Sequence, residues 1–163
     1  MDADAQDHSM MSLALKEAER AYEEGEIPVG AVLTLGGEII ARGHNRSISL
    51  SDPTAHAEIL ALRMAGEREG NYRLPGATLY VTLEPCLMCA GAILQARLKR
   101  IVFGAFDPKG GAVVTLYRVL QDERLNHSVE ITGGVQKERC GKILSRFFRE
   151  KRVIATIDPG QDY

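Results

Sequence analysis

The chain has 163 residues, of which 45% are hydrophobic and 26% charged, with a formal net charge of −2 at pH 7. This composition fits one folded domain with its own core and excludes a disordered or membrane-spanning chain. The N-terminal residues 1–7 are acidic where a secretory leader would be basic, and three cysteines, an odd number with one close pair, suggest metal or redox chemistry and not a disulfide framework, so the cytoplasm is the expected compartment.

Met11, Leu15, Ala18 and Tyr22 recur at helical spacing, which predicts an amphipathic helix over 9–24 with Ser9 as cap and Gly25 as stop. Residues 1–8 are then a loose tail. The apolar stretches 28–35 and 38–42, joined by Gly36-Gly37, read as a hairpin. Asp52-Pro53-Thr54 introduces a helix over 55–68 that ends near Gly70. Residues 78–83 form a buried strand, Pro85 opens a helix to about Arg97, and 100–104 form a fourth strand. Beyond these come a loop at 107–111, a short helix at 113–120, a weak strand at 129–132, a helix at 136–149 and a loose tail at 153–163. Strands alternating with helices after an opening hairpin predict an α/β fold class: a three-layer α/β/α sandwich around a mixed five-stranded sheet, in a single domain over 1–163.

Two motifs carry chemistry: His56-Ala57-Glu58 and Pro85-Cys86-Leu87-Met88-Cys89. A Cys-x-x-Cys pair lets two thiolates reach one ion, and His56 supplies a third ligand. Such a Cys2His set leaves the fourth tetrahedral position of one Zn2+ per chain for water. Glu58 has the chemistry to move protons to and from that water. Residues i and i+2 do not share a helix face, so spacing alone does not aim Glu58 at the metal. Taken together the motifs match the recognised signature of zinc-dependent nucleobase deaminases. Two other readings stay open on the motifs alone. Cys86 and Cys89 could be a thiol–disulfide redox pair, and His44 or His127 could close a purely structural zinc site. Cys140 lies on an apolar helical stripe with Ile143, Leu144 and Phe147 and is expected in the core, and His8 receives no role.

Charge is unevenly distributed. Residues 1–26 carry eight acidic side chains against Lys16 and Arg20, whereas 137–152 carry seven basic ones against Glu138 and Glu150. A solvated amphipathic helix explains the basic end unless another signal points to a polyanion.

That signal is a resemblance running from about residue 10 to residue 150. The stretches 25–32, His44-Asn45-Arg46, 52–59, Asn71-Tyr72-Arg73-Leu74, 78–86, 88–93, Phe103-Gly104-Ala105 and Leu125-Asn126-His127 resemble the bacterial tRNA-specific adenosine deaminases of the cytidine-deaminase-like superfamily. The resemblance implies a homodimer that deaminates adenosine to inosine at the wobble position (34) of a tRNA anticodon, with an arginine tRNA as the expected partner. It implies His56, Cys86 and Cys89 as zinc ligands, Glu58 as proton shuttle, and Asn45 as a hydrogen-bonding partner of the base. Pro28 and Val29 would line the base pocket. Asp107, Lys109, Phe147, Phe148 and Arg149 would lie at the RNA, which gives the basic segment a purpose. The nearest rival within the same chemistry is a deaminase of a free nucleobase or nucleoside. Departures from the family pattern are Phe106 and the pair Gly110-Gly111, which is expected to make its loop flexible.

Overall fold

The computed structural model describes residues 3–157. Its elements are α1 (Ala3–Glu23), β1 (Gly30–Leu35), β2 (Glu38–His44), α2 (Ala57–Glu69), β3 (Thr78–Leu83), α3 (Leu87–Gln95), β4 (Arg100–Ala105), a 3-10 turn at Val119–Gln121, β5 (Glu130–Gly133) and α4 (Lys137–Ile157). The strands lie in the order β2-β1-β3-β4-β5. β1 runs antiparallel to both β2 and β3, whereas β3, β4 and β5 are parallel. This is the expected mixed five-stranded sheet between two helical layers.

Side chains alternate along each strand, so each face of the sheet has its own core. Val32, Tyr80 and Val102 pack under α1 and α4, against Met11, Ala14, Ala18, Cys140 and Ile143. Leu33, Leu79, Val81, Ile101 and Phe103 face the layer of α2 and α3, against Ala57, Ala61, Ala65, Ala90 and Ile93. Small residues at four-residue spacing let α2 lie almost on the backbone of β2. A Cβ on Gly43 would stand 2.5 Å from the carbonyl oxygen of Ala57. The first turn of α2 is thereby held against the end of β2. The hairpin turns at Gly36 (φ 60°) and Gly37 (φ 82°), both in the left-handed region that a tight two-residue hairpin requires.

Three expectations need correction. Residues 3–8 are not a tail but the first turns of α1. Asp7 is 3% exposed, and its carboxylate accepts two bonds from the Arg100 guanidinium at 2.7 and 2.6 Å. At the other end α4 continues to Ile157, so 153–157 are helical, and the remainder of the expected tail, 158–163, lies outside the described residues. The helix expected over 113–120 is instead a turn through Thr115 and an irregular stretch leading into the short 3-10 segment, because the N–H groups of Val113, Val114 and Thr115 bond to a side chain, Glu84, instead of to carbonyls four residues back. Among the described residues no helix is long and apolar enough to cross a membrane.

Candidate active site

The N-termini of α2 and α3 converge. His56 and Cys86 are their respective N-cap residues, both extended in backbone and neither capping its helix through its side chain. Their side chains meet each other instead. His56 Nδ1 is 3.6 Å from Cys86 Sγ and 3.6 Å from Cys89 Sγ. Zinc–nitrogen and zinc–sulfur bonds at a tetrahedral angle imply an N–S separation of about 3.6 Å, so the three donors already stand at ligation distance. Among the described residues no fourth His, Cys, Asp or Glu joins the group. His44 bridges Glu17 (3.3 Å) and Glu24 (2.9 Å), and His127 Nε2 bonds the carbonyl of Leu98 at 2.7 Å. The closed structural zinc site is therefore not built, and a histidine equidistant from both sulfurs favours a metal over a redox pair.

The two thiols are hydrogen-bonded to each other. A hydrogen bond from Cys89, with help from His56 and against the effect of burial, brings Cys86 down to about 4. That same bond, together with burial, pushes Cys89 up. The Cys86 hydrogen bond also raises His56 against its burial. A divalent cation in this place would displace the proton and hold both sulfurs as thiolates.

Glu58 stands beside this group on the first turn of α2. It is 3% exposed, and among the described residues its Oε1 is the buried side-chain oxygen or nitrogen without a hydrogen-bond partner. Burial pushes its carboxyl above the usual range, opposed by the adjacent His56 and Cys89. Leaving a buried acceptor unpaired costs about 1–3 kcal/mol, which marks it as a group kept for something other than stability. Glu58 lies by the metal group because that group sits off the end of the helix, where residues two apart can both reach it.

A chain of hydrogen bonds ties the expected base pocket to this end of α2. Asn45 N–H donates to Val29 O at 3.1 Å, and Asn45 Oδ1 accepts the N–H of Ala57 at 2.8 Å. Asn45 thus does the capping that His56 does not, and with Oδ1 committed, its NH2 is the group left for a ligand. Pro28 and Val29 are buried beside it. Just upstream Glu26, 2% exposed, accepts the N–H groups of Ile48 (2.9 Å) and Ser49 (2.8 Å) and fixes the segment after β2.

The 106–117 loop behaves differently from its sequence. Glu84, 2% exposed at the end of β3, accepts N–H bonds from Asp107, Val113, Val114 and Thr115. A Cβ on Gly111 would stand 2.4–2.6 Å from the Glu84 carboxyl atoms. The glycine there serves close approach, which overturns the expected flexibility. Asp107 also closes the loop on itself, its Oδ1 accepting the N–H of Lys109 at 3.0 Å and of Gly110 at 3.2 Å, while Lys109 is exposed. The buried carboxylates Glu84 and Glu26 were missed in sequence. Their one signal was a charged residue abutting an apolar run next to proline or isoleucine.

On α4 the expected RNA-facing trio divides. Phe147 is 5% exposed and packs edge-on against Tyr22 of α1 at 5.7 Å, so it holds two helices together and does not face a ligand. Phe148 is 42% exposed, and Arg149 is exposed too. Part of the charge polarity is internal, because Glu19 and Glu23 of α1 share a cleft with Arg139, Lys142 and Arg146 of α4.

Residues 4–105 match the family described as the cytidine and deoxycytidylate deaminase zinc-binding region. A tRNA-specific adenosine deaminase of Bacillus subtilis (strain 168) is 55% identical over 147 residues, 90% of this chain and 91% of that one. A protein of the same description from Haemophilus influenzae is 54% identical over 153 residues, 93% of this chain and 88% of that one. A structure solved in work on A-to-I editing by tRNA:A34 deaminases at the wobble position of transfer RNA superposes with a TM-score of 0.81 at 51% identity, covering 83% of this chain and 99% of that one.

Proposed function

The chain belongs to the cytidine and deoxycytidylate deaminase zinc-binding family, and within it to the tRNA-specific adenosine deaminases; from this premise we propose a zinc-dependent hydrolysis of adenosine to inosine at the wobble position of a tRNA anticodon. The observation that carries the proposal is the partnerless oxygen of Glu58 beside a three-donor metal group. Adenosine and water become inosine and ammonia.

His56, Cys86 and Cys89 would hold the zinc, which supplies Lewis-acid activation of the attacking water when bound. Glu58 takes a proton from that water and delivers it to N1 of adenine, and then carries the proton of the hydroxyl newly added at C6 to the departing amine. Its buried position suits this work, since a carboxyl raised by burial accepts and releases a proton nearer neutral pH. The Asn45 NH2 donates to the base and thereby fixes its orientation, with Pro28 and Val29 as the apolar wall. A loop nucleotide costs less to flip into such a pocket than one in a duplex. Outside the pocket, Phe148 offers a ring for stacking, and Arg149, Lys109 and the Asp107 turn meet the backbone or splayed bases.

Finer features follow from the same family. The chain works as a homodimer in the cytoplasm on an arginine tRNA with adenosine at position 34. The groove between α2 and α3, lined by Ile59, Leu62, Tyr72, Ala92 and Ala96, is the apolar surface available for the partner subunit. Incubation with total bacterial tRNA, followed by sequencing for A-to-G changes, tests the whole reading. Conversion at position 34 of one tRNA supports it. Conversion of free adenosine, guanine or cytosine with no change in tRNA refutes it.

A further inference from the structure

The mechanism above leaves Glu84 unused, yet more of the loop is bonded to it than to any residue in the pocket. Oε1 accepts the N–H of Asp107 at 3.2 Å and the hydroxyl of Thr115. Oε2 accepts the N–H groups of Val113 (3.1 Å), Val114 (2.9 Å) and Thr115 (3.0 Å). A carboxylate offers about four lone-pair sites, so this one is saturated by donors from a single loop. Bonds to an ionised acceptor are roughly twice as strong as neutral ones and are directional. Alongside them, Ala112 N–H donates to the carbonyl of Pro85 at 2.9 Å. Both anchors therefore lie immediately before Cys86 in the chain, and the loop cannot shift without shifting the metal-binding segment.

The clamped loop keeps large apolar groups in solvent. Phe106 is 46% exposed, Leu116 52% and Tyr117 55%. The Phe106 ring stands edge-on against the buried Phe103 at 5.1 Å, so its direction is set from below. Apolar packing of Ala112 and Val113 would hold such a loop down, but a non-directional contact does not fix where its exposed side chains point. Five convergent bonds on one carboxylate do.

We propose that Glu84 is a positioning residue for RNA: it acts through the 106–117 loop and sets where Phe106, Lys109 and Tyr117 meet the nucleotides flanking the target base. The inference rests on the tRNA deaminase reading given above. Glu84 touches neither substrate nor reacting atoms. Its contribution is to register two surfaces, the pocket that does the chemistry and the loop that meets the flanking RNA.

Glu84→Gln keeps the shape but replaces one acceptor oxygen with an NH2 group facing donors. Expected are zinc content unchanged from wild type, kcat within about threefold, and a KM for tRNA raised about tenfold. Amide exchange at Val113, Val114 and Thr115 should quicken while α2 and α3 keep their protection. Thr115→Val removes one donor with little risk to folding and should raise KM about threefold in the same direction. The double variant should be no worse than Glu84→Gln alone. An unchanged KM in Thr115→Val and in Glu84→Gln overturns the proposal. So does loss of zinc or of kcat at unchanged KM, which would assign Glu84 to the metal segment. Should Glu84→Gln fail to fold, the KM of Thr115→Val decides. If wild-type protein forms no inosine in tRNA, it is the functional reading that falls.

Discussion

Asn45 Oδ1 accepts the backbone N–H of Ala57 at 2.8 Å, so the residue assigned to the substrate base also completes the helix that carries Glu58. Two substitutions separate the roles. Asn45→Ala strands a buried N–H and should lower the unfolding free energy by about 1–3 kcal/mol. Asn45→Asp keeps the acceptor at a helix N-terminus, where negative charge is favourable, but loses the NH2 donor. Its melting temperature should match wild type while kcat/KM falls about tenfold to a hundredfold. Full activity in Asn45→Asp would reduce Asn45 to a capping residue.

Glu58 is the reverse case, a side chain whose removal should cost function and not stability. Its burial disfavours the charged form. Glu58→Gln should retain zinc and unfold at the same denaturant concentration as wild type or a higher one, while turnover falls about 10²-fold or more. Urea titration, metal analysis and inosine quantification check it. A variant with wild-type turnover would take Glu58 out of the proton path.

Removal of the metal should expose a reactivity difference between cysteines. Cys86 is half-buried and held at about 4, so it is thiolate throughout the neutral range. After chelation its alkylation rate should be nearly flat from about pH 6 to 9, whereas an ordinary thiol quickens about tenfold per pH unit below its pKa. Cys140 is buried, which pushes its thiol up to about 11. The fold thus favours its neutral form. That contribution to stability is complete below the ordinary thiol value of 9.0 and is lost as pH rises through about 11. Mass spectrometry of labelled peptides should find Cys140 unmodified until the protein unfolds. Equal labelling of both would contradict these environments.

The pair between Asp7 and Arg100 ties the start of α1 to the first residue of β4, and Arg100 continues to the Thr132 hydroxyl of β5 at 2.8 Å. Side-chain exposure is 4% for Asp7 and 21% for Arg100, so solvent screens the pair only in part. Asp7→Asn should cost about 2 kcal/mol, less than the roughly 3–5 kcal/mol of a fully buried pair, because Arg100 is partly exposed and keeps its bond to Thr132. Deletion of residues 1–8 should cost at least as much. If thermal denaturation finds the truncated chain as stable as wild type, the first turns of α1 are dispensable.

Apolar spacing made most elements legible in sequence, because burial of one helix or strand face leaves a periodic trace. The metal group was legible for a different reason: its three residues are chemically rare in combination, and each begins or follows a helix start. What escaped were interactions that join distant segments through single polar atoms. In sequence Asp7 looks like part of an acidic tail, because its partner Arg100 is 93 positions away. Glu84 looks like a strand-end residue and Gly111 like a hinge, although each exists in its place because of the other. Phe147 and Phe148 are adjacent and chemically identical, but Phe147 shares the buried stripe of Cys140 and Ile143 and packs on Tyr22, which leaves Phe148 as the outer ring.

The Glu84 clamp also limits how this protein can diversify. Donors at 107 and at 113–115 reach one carboxylate only if the intervening span keeps its length. Gaining or losing a residue there would put the amides out of step. New preferences in descendants of this chain should arise by exchanging outward side chains at constant spacing, whereas the hairpin tip at Gly36-Gly37 is free to lengthen.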